Sequence, residues 1–171
     1  MRDIPLDNLS YAVLISISNG TSWSGYFVRS KERLFLVTAK HVIFNQENWK
    51  LNGENMNIVW YTSNIEDDDT IEYEASLQQL LEKKSVIQND KDDVVVIFWG
   101  HLVNWSLDIS KKPEIKITKK PTKWSGITAT IENMKKINEA LTGNNIFIVG
   151  YPSSIWINYP PAELGGYARF S

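Results

Sequence analysis

The apolar residues of this chain arrive in short bursts, and that spacing limits the fold more than any other feature. Residues 11–17 (YAVLISI), 25–29 (GYFVR), 33–38 (RLFLVT), 56–62 (MNIVWYT), 70–75 (TIEYEA) and 94–99 (VVVIFW) are rich in β-branched and aromatic side chains. Each is long enough for a strand and too short for an ordinary helix. Asn19-Gly20 follows the first run as a turn signal, and Ser30-Lys31-Glu32 joins the second and third as a hairpin. The acidic stretch Glu66-Asp67-Asp68-Asp69 reads as a solvated loop tip, because its spacing does not match a calcium loop. The continuous run 94–99 predicts a strand buried on both faces. Further strands are expected over 115–118, 127–131, 146–149 and 155–157. Helical spacing is confined to 76–84 (SLQQLLEKK) and to a second short helix expected over 132–141. Many short strands with frequent turns predict an all-β barrel or sandwich with one or two short helices.

Composition narrows the function classes. With 171 residues, 43% of them hydrophobic, the chain can bury a core as one domain or as two small barrels. Eighteen basic against 20 acidic residues leave a net charge of −2, which argues against a nucleic-acid binder working through bulk positive charge. Cysteine is absent, so no disulfide, thiolate zinc site or thiol nucleophile is available. Two histidines are too few for a histidine-based metal site, and no cofactor is implied. No basic start leads into a long apolar run, and the apolar runs are too short to cross a bilayer. A cytoplasmic protein without membrane partners is the expectation. The lysine-rich stretch 111–123 (KKPEIKITKKPTK) reads as a solvated connection rather than a phosphate-binding patch.

Two local features carry chemistry. Thr38-Ala39-Lys40-His41 closes a predicted strand, so the His41 imidazole can be held rigidly at a cleft. Asp92-Asp93 stands directly before the apolar run 94–99. Taken singly, each reads as a structural residue. Together they resemble the trypsin-like (chymotrypsin-fold) serine peptidases, with their T-A-x-H histidine motif and an aspartate ahead of an apolar strand. Ser24-Gly25-Tyr26-Phe27-Val28 is similar to the G-S-G-F strand of that family, with Trp23 in place of its first glycine. Residues 144–155 (NNIFIVGYPSSI) are similar to its V-x-x-x-G-[YF]-P strand, and the likeness spans roughly 10–160.

The resemblance implies a trypsin-like double β-barrel: a complete first barrel over 1–107 carrying His41 and Asp93, an inter-barrel connection over 108–124, and a partial second barrel over 125–171. It implies hydrolysis of a peptide or protein substrate through an acyl-enzyme, with His41 as general base and Asp93 as its orienter. Asp92 is the rival for the second role; Asp93 is preferred because it abuts the apolar strand. An imidazole, which titrates near 6.5 in isolation, suits that task at neutral pH. The family's G-[DN]-S-G-[GS] nucleophile turn does not occur in these residues. Ser153 and Ser154 are weak substitutes, Ser24 and Ser125 read as strand starts, Ser171 lacks flanking glycines, and His101 reads as a strand-end or loop residue. The expectation is therefore a chain truncated before its nucleophile and inactive as it stands. The alternative is a non-catalytic module of the same fold that binds a peptide or protein.

Overall fold

Alternation of apolar and polar residues governs the observed strands. The computed structural model describes residues 12–61, 70–88, 91–103, 106–120, 129–130, 148–150 and 166–168. β1 (Ala12–Ile17), β2 (Ser22–Ser30) and β3 (Arg33–Thr38) lead to a four-residue helix, α1 (Lys40–Ile43). β4 (Asn55–Tyr61) and β5 (Thr70–Ser76) follow, then α2 (Leu77–Glu82), β6 (Val86–Gln88) and β7 (Val95–Val103). Shorter strands complete the order: β8 (Ser106–Asp108), β9 (Ile115–Lys119), β10 (Ala129–Thr130), β11 (Ile148–Gly150) and β12 (Gly166–Ala168). The turn between β1 and β2 uses Gly20 at φ +88°, while the Asn19 side chain accepts from both the N–H and the hydroxyl of Thr21.

One sheet runs in the order β6-β7-β3-β2-β1-β4-β5-β9, with β8 added to β7 and β10 lying parallel to β2. Every other pairing in it is antiparallel, and β11 with β12 forms a separate ribbon. Val13, Ile15 and Ile17 of β1, Met56, Ile58 and Trp60 of β4, and Ile71, Tyr73 and Ala75 of β5 point into the core. The intervening residues of β1, Leu14 and Ser16, are only half-buried.

The sheet curls into a half-barrel. β5 and β7 stand far apart in strand order, yet the rings of Tyr73 and Trp99 meet at 5.5 Å between centroids, nearly perpendicular. Phe27, from the middle of the sheet, reaches Trp60 at 4.6 Å and Trp99 at 5.7 Å. A register shift drives part of this curvature. Leu34 pairs with Gly100 and Phe35 with Phe98, so Trp99 bulges inward without a partner on β3. Gly25 allows β2 to lie close to its neighbours, since a Cβ there would fall 2.7 Å from Ile15 Cδ1 and 2.9 Å from Val37 O. That is a packing reason for the glycine in the Ser24-Gly25-Tyr26 step.

Two expectations change. The run 94–99 is not buried on both faces: Val95, Ile97 and Trp99 are fully enclosed, Val96 and Phe98 half-buried, and Val94 exposed. Among the described residues, side chains cover part of the outer face of β7, with Phe98 against the rings of Phe35 and His101 and beneath Lys112 Nζ. The lysine-rich stretch, in turn, is partly built into the sheet. β9 pairs with β5, Lys119 Nζ donates to Thr70 Oγ1 at 2.7 Å, and Lys112 bonds Ser85 Oγ at 2.6 Å beside the buried Glu114. The expected helix over 132–141, the strand over 155–157, the acidic stretch 66–69, and Ser125, Ser153, Ser154 and Ser171 lie outside the described residues. Among the described residues no helix is long and apolar enough to cross a membrane, and no group of His, Asp and Glu gathers as a metal site.

Candidate active site

The site grows out of the pairing of β3 with β7. Thr38 stands opposite Val95, so continuing the ladder brings Lys40 opposite Asp93. The Lys40 N–H donates to Asp93 O at 3.3 Å, extending the ladder by one step. Thr38 Oγ1 donates to Ser24 O at 2.9 Å and ties the end of β3 to β2. The chain then turns into α1, which places His41 in a helical turn rather than at the strand end that its sequence suggested.

A one-turn helix cannot supply its own N-terminal acceptors. Its N-cap, Ala39, has no side chain able to help. Asp93 takes that part from 52 positions away: Oδ1 accepts from the His41 N–H at 3.0 Å. Its other oxygen, Oδ2, lies 2.5 Å from His41 Nδ1. One carboxylate thus holds both the main chain and the ring of the same residue. An ionised carboxylate only accepts, so Nδ1 carries the proton in this contact, and Nε2 is the nitrogen left to accept a proton when the ring is neutral. Asp93, not Asp92, is the acid on the His41 ring.

Trp23 completes the enclosure. Its ring meets the imidazole edge-on, 5.0 Å between centroids at 78°. The His41 side chain is left 30% exposed and that of Asp93 52% exposed, so the pair faces solvent along one side. The sequence marked Trp23 only as a departure from a glycine, and nothing local signals that it will pack on His41. Next to His41, Lys40 is buried with its Nζ 4.7 Å above the ring of the exposed Trp49. His101 lies in β7 opposite Arg33 and Asp108, with its ring against Phe98 and away from this pair along the strand. Ser24 lies inside β2 rather than at its start.

Slight burial works to raise the Asp93 pKa, but the hydrogen bonds from the His41 ring and main chain and the attraction of the imidazolium outweigh it. The carboxyl is held below its ordinary value of 3.8. The folded chain therefore binds that proton less readily than the unfolded one. The stabilisation from this contact is complete above the ordinary carboxylate range and fades as pH falls through the depressed value. A carboxyl-carbon NMR titration is expected to find the Asp93 midpoint below 3.8, and His41→Ala to move it upward. An unchanged midpoint in the variant would show that His41 does not hold the carboxylate.

No family model, curated protein or solved structure matches this chain.

Proposed function

We propose that this chain carries the histidine–aspartate half of a trypsin-like serine peptidase site, in which a peptide bond is hydrolysed through an acyl-enzyme. The observation that carries the reading is the double grip of Asp93 on His41, through its N–H at 3.0 Å and its Nδ1 at 2.5 Å. Such an arrangement fixes the imidazole tautomer and supports the positive charge that forms when Nε2 takes a proton from a nucleophile. The curled antiparallel sheet supports the same reading, as a first barrel; β10, expected in the second, pairs with β2 of this sheet instead.

In this mechanism His41 is the general base, and it later protonates the leaving amine. Asp93 orients it. A serine hydroxyl attacks the carbonyl, and backbone N–H donors stabilise the oxyanion, each worth about 3–4 kcal/mol. The family's glycine-flanked serine turn does not occur in these 171 residues. That favours a second reading, a binding module of the same fold that holds a peptide in the cleft without cleaving it.

A fluorophosphonate probe separates the two. It is expected to leave the 171-residue chain unlabelled and to label a form of the protein that carries a Gly-Asp/Asn-Ser-Gly turn, with His41→Ala abolishing the label. Labelling that survives His41→Ala removes His41 from the mechanism. A form with the turn that stays unlabelled leaves the binding module as the better reading.

A further inference from the structure

The carbonyl end of α1 presents the same problem as its N–H end. The last four carbonyls of a helix lack intrahelical donors, and α1 has only four residues. Each of these groups nevertheless finds a partner. Ala39 O accepts from the Val42 N–H at 3.1 Å and Lys40 O from the Phe44 N–H at 2.9 Å. The next three carbonyls are met by one residue. Asn52 Nδ2 donates to His41 O at 2.7 Å and to Val42 O at 3.0 Å. The Asn52 N–H donates to Ile43 O at 2.9 Å.

Asn52 is itself anchored. At the adjacent Gly53 a Cβ would fall 2.5 Å from Ser18 Oγ and 2.7 Å from Ile17 Cγ2, so the backbone presses against the end of β1. Ser18 Oγ also accepts from the Glu54 N–H at 3.0 Å. The amide is well suited to the task. It carries two protons on one nitrogen and can span two successive carbonyls, whereas a hydroxyl offers one donor and an ionised carboxylate none.

We infer that Asn52 is a positioning residue for His41: it clamps the carbonyl side of α1 while Asp93 clamps the N–H side, and the imidazole stays in register with Asp93 only when both hold. The inference rests on the reading of His41 as the base, and it names the residue that keeps that base in place. Asn52 replaces the next turn that a longer helix would have supplied.

The test is NMR on the folded 171-residue chain, following solvent exchange of the His41 Nδ1 proton. Asn52→Ala is expected to speed that exchange about tenfold or more, because two main-chain acceptors beside the ring lose their donor. Ser76→Ala is the control for general destabilisation. It removes the side-chain acceptor of the Gln79 N–H at the start of α2 and is expected to lower the melting temperature without changing the exchange. An Asn52→Ala chain that melts earlier yet exchanges the Nδ1 proton at the wild-type rate would reduce Asn52 to a structural role and overturn the inference. If Asn52→Ala does not fold, Asn52→Asp has the same size but no donor once ionised, and carries the same expectation and the same refutation. Proton exchange reports the clamp whether or not a peptide is cleaved, whereas fluorophosphonate labelling reports the peptidase reading alone.

Discussion

Asp93→Asn is expected to leave the fold nearly intact and to disable the histidine. Asparagine caps helices about as well as aspartate, so the acceptor on the His41 N–H survives and stability is expected to change by less than about 1 kcal/mol. The other half of the side chain becomes an NH2 group facing Nδ1. Two donors cannot share that contact, so the imidazole must move its proton to Nε2 and can no longer accept one there. In any form of the protein that reacts with a fluorophosphonate, the rate is expected to fall by about four orders of magnitude. The Nδ1 proton resonance is expected to vanish from the 171-residue chain itself. Asp93→Ala differs, because it also removes the acceptor at 3.0 Å on the His41 N–H and is expected to cost about 1–2 kcal/mol in chemical denaturation. If Asp93→Asn keeps both the resonance and the labelling rate, the orienting role is wrong and Asp93 is only a cap.

Trp99→Ala is expected to cost the fold about 3–5 kcal/mol in urea denaturation, the usual range for removing a large aromatic from a closed core. Trp99 is fully enclosed and touches both Phe27 and Tyr73, so it joins the two flanks of the curled sheet. The bulge that presents it would then frame a cavity, and β7 could shift against β3. Because β7 also sets the height of Asp93, the variant is expected to loosen the His41 contact, read as faster Nδ1 proton exchange. Trp99→Phe is expected to be much milder, since the indole N–H has no hydrogen-bond partner among the described residues and no bond is lost with it. A cost under about 1 kcal/mol for Trp99→Ala would mean that the flanks do not depend on this ring.

The strands were largely legible because alternation is a local property. A residue's side of a pleat follows from its parity, so β1, β3, β4 and β5 can be read from their own residues. The Asn19-Gly20 turn and the helix α2 were visible for the same reason, while the part of Ser76 as its cap was not. Three further features were not. The outer face of β7 looked buried because apolarity alone does not say whether another layer covers a sheet. Trp23 gave no sign of its place beside His41, because that contact depends on where β2 begins relative to α1. Asn52 before Gly53 carries the signature of a turn, and its three bonds to α1 arise only when the chain returns across the end of β1.

By itself the sequence determined a β-rich chain, the absence of thiol chemistry and the identity of two residues worth watching, His41 and Asp93. Only the tertiary structure decided that they meet. The antiparallel register that sets Thr38 opposite Val95 also sets Lys40 opposite Asp93. A slip of one residue would turn the β7 side chains to the other face and carry the carboxylate away from the imidazole. That register comes from the packing of Leu34, Leu36, Ile97 and Trp99 in a shared core, a sum over distant parts of the chain that no local stretch of residues contains.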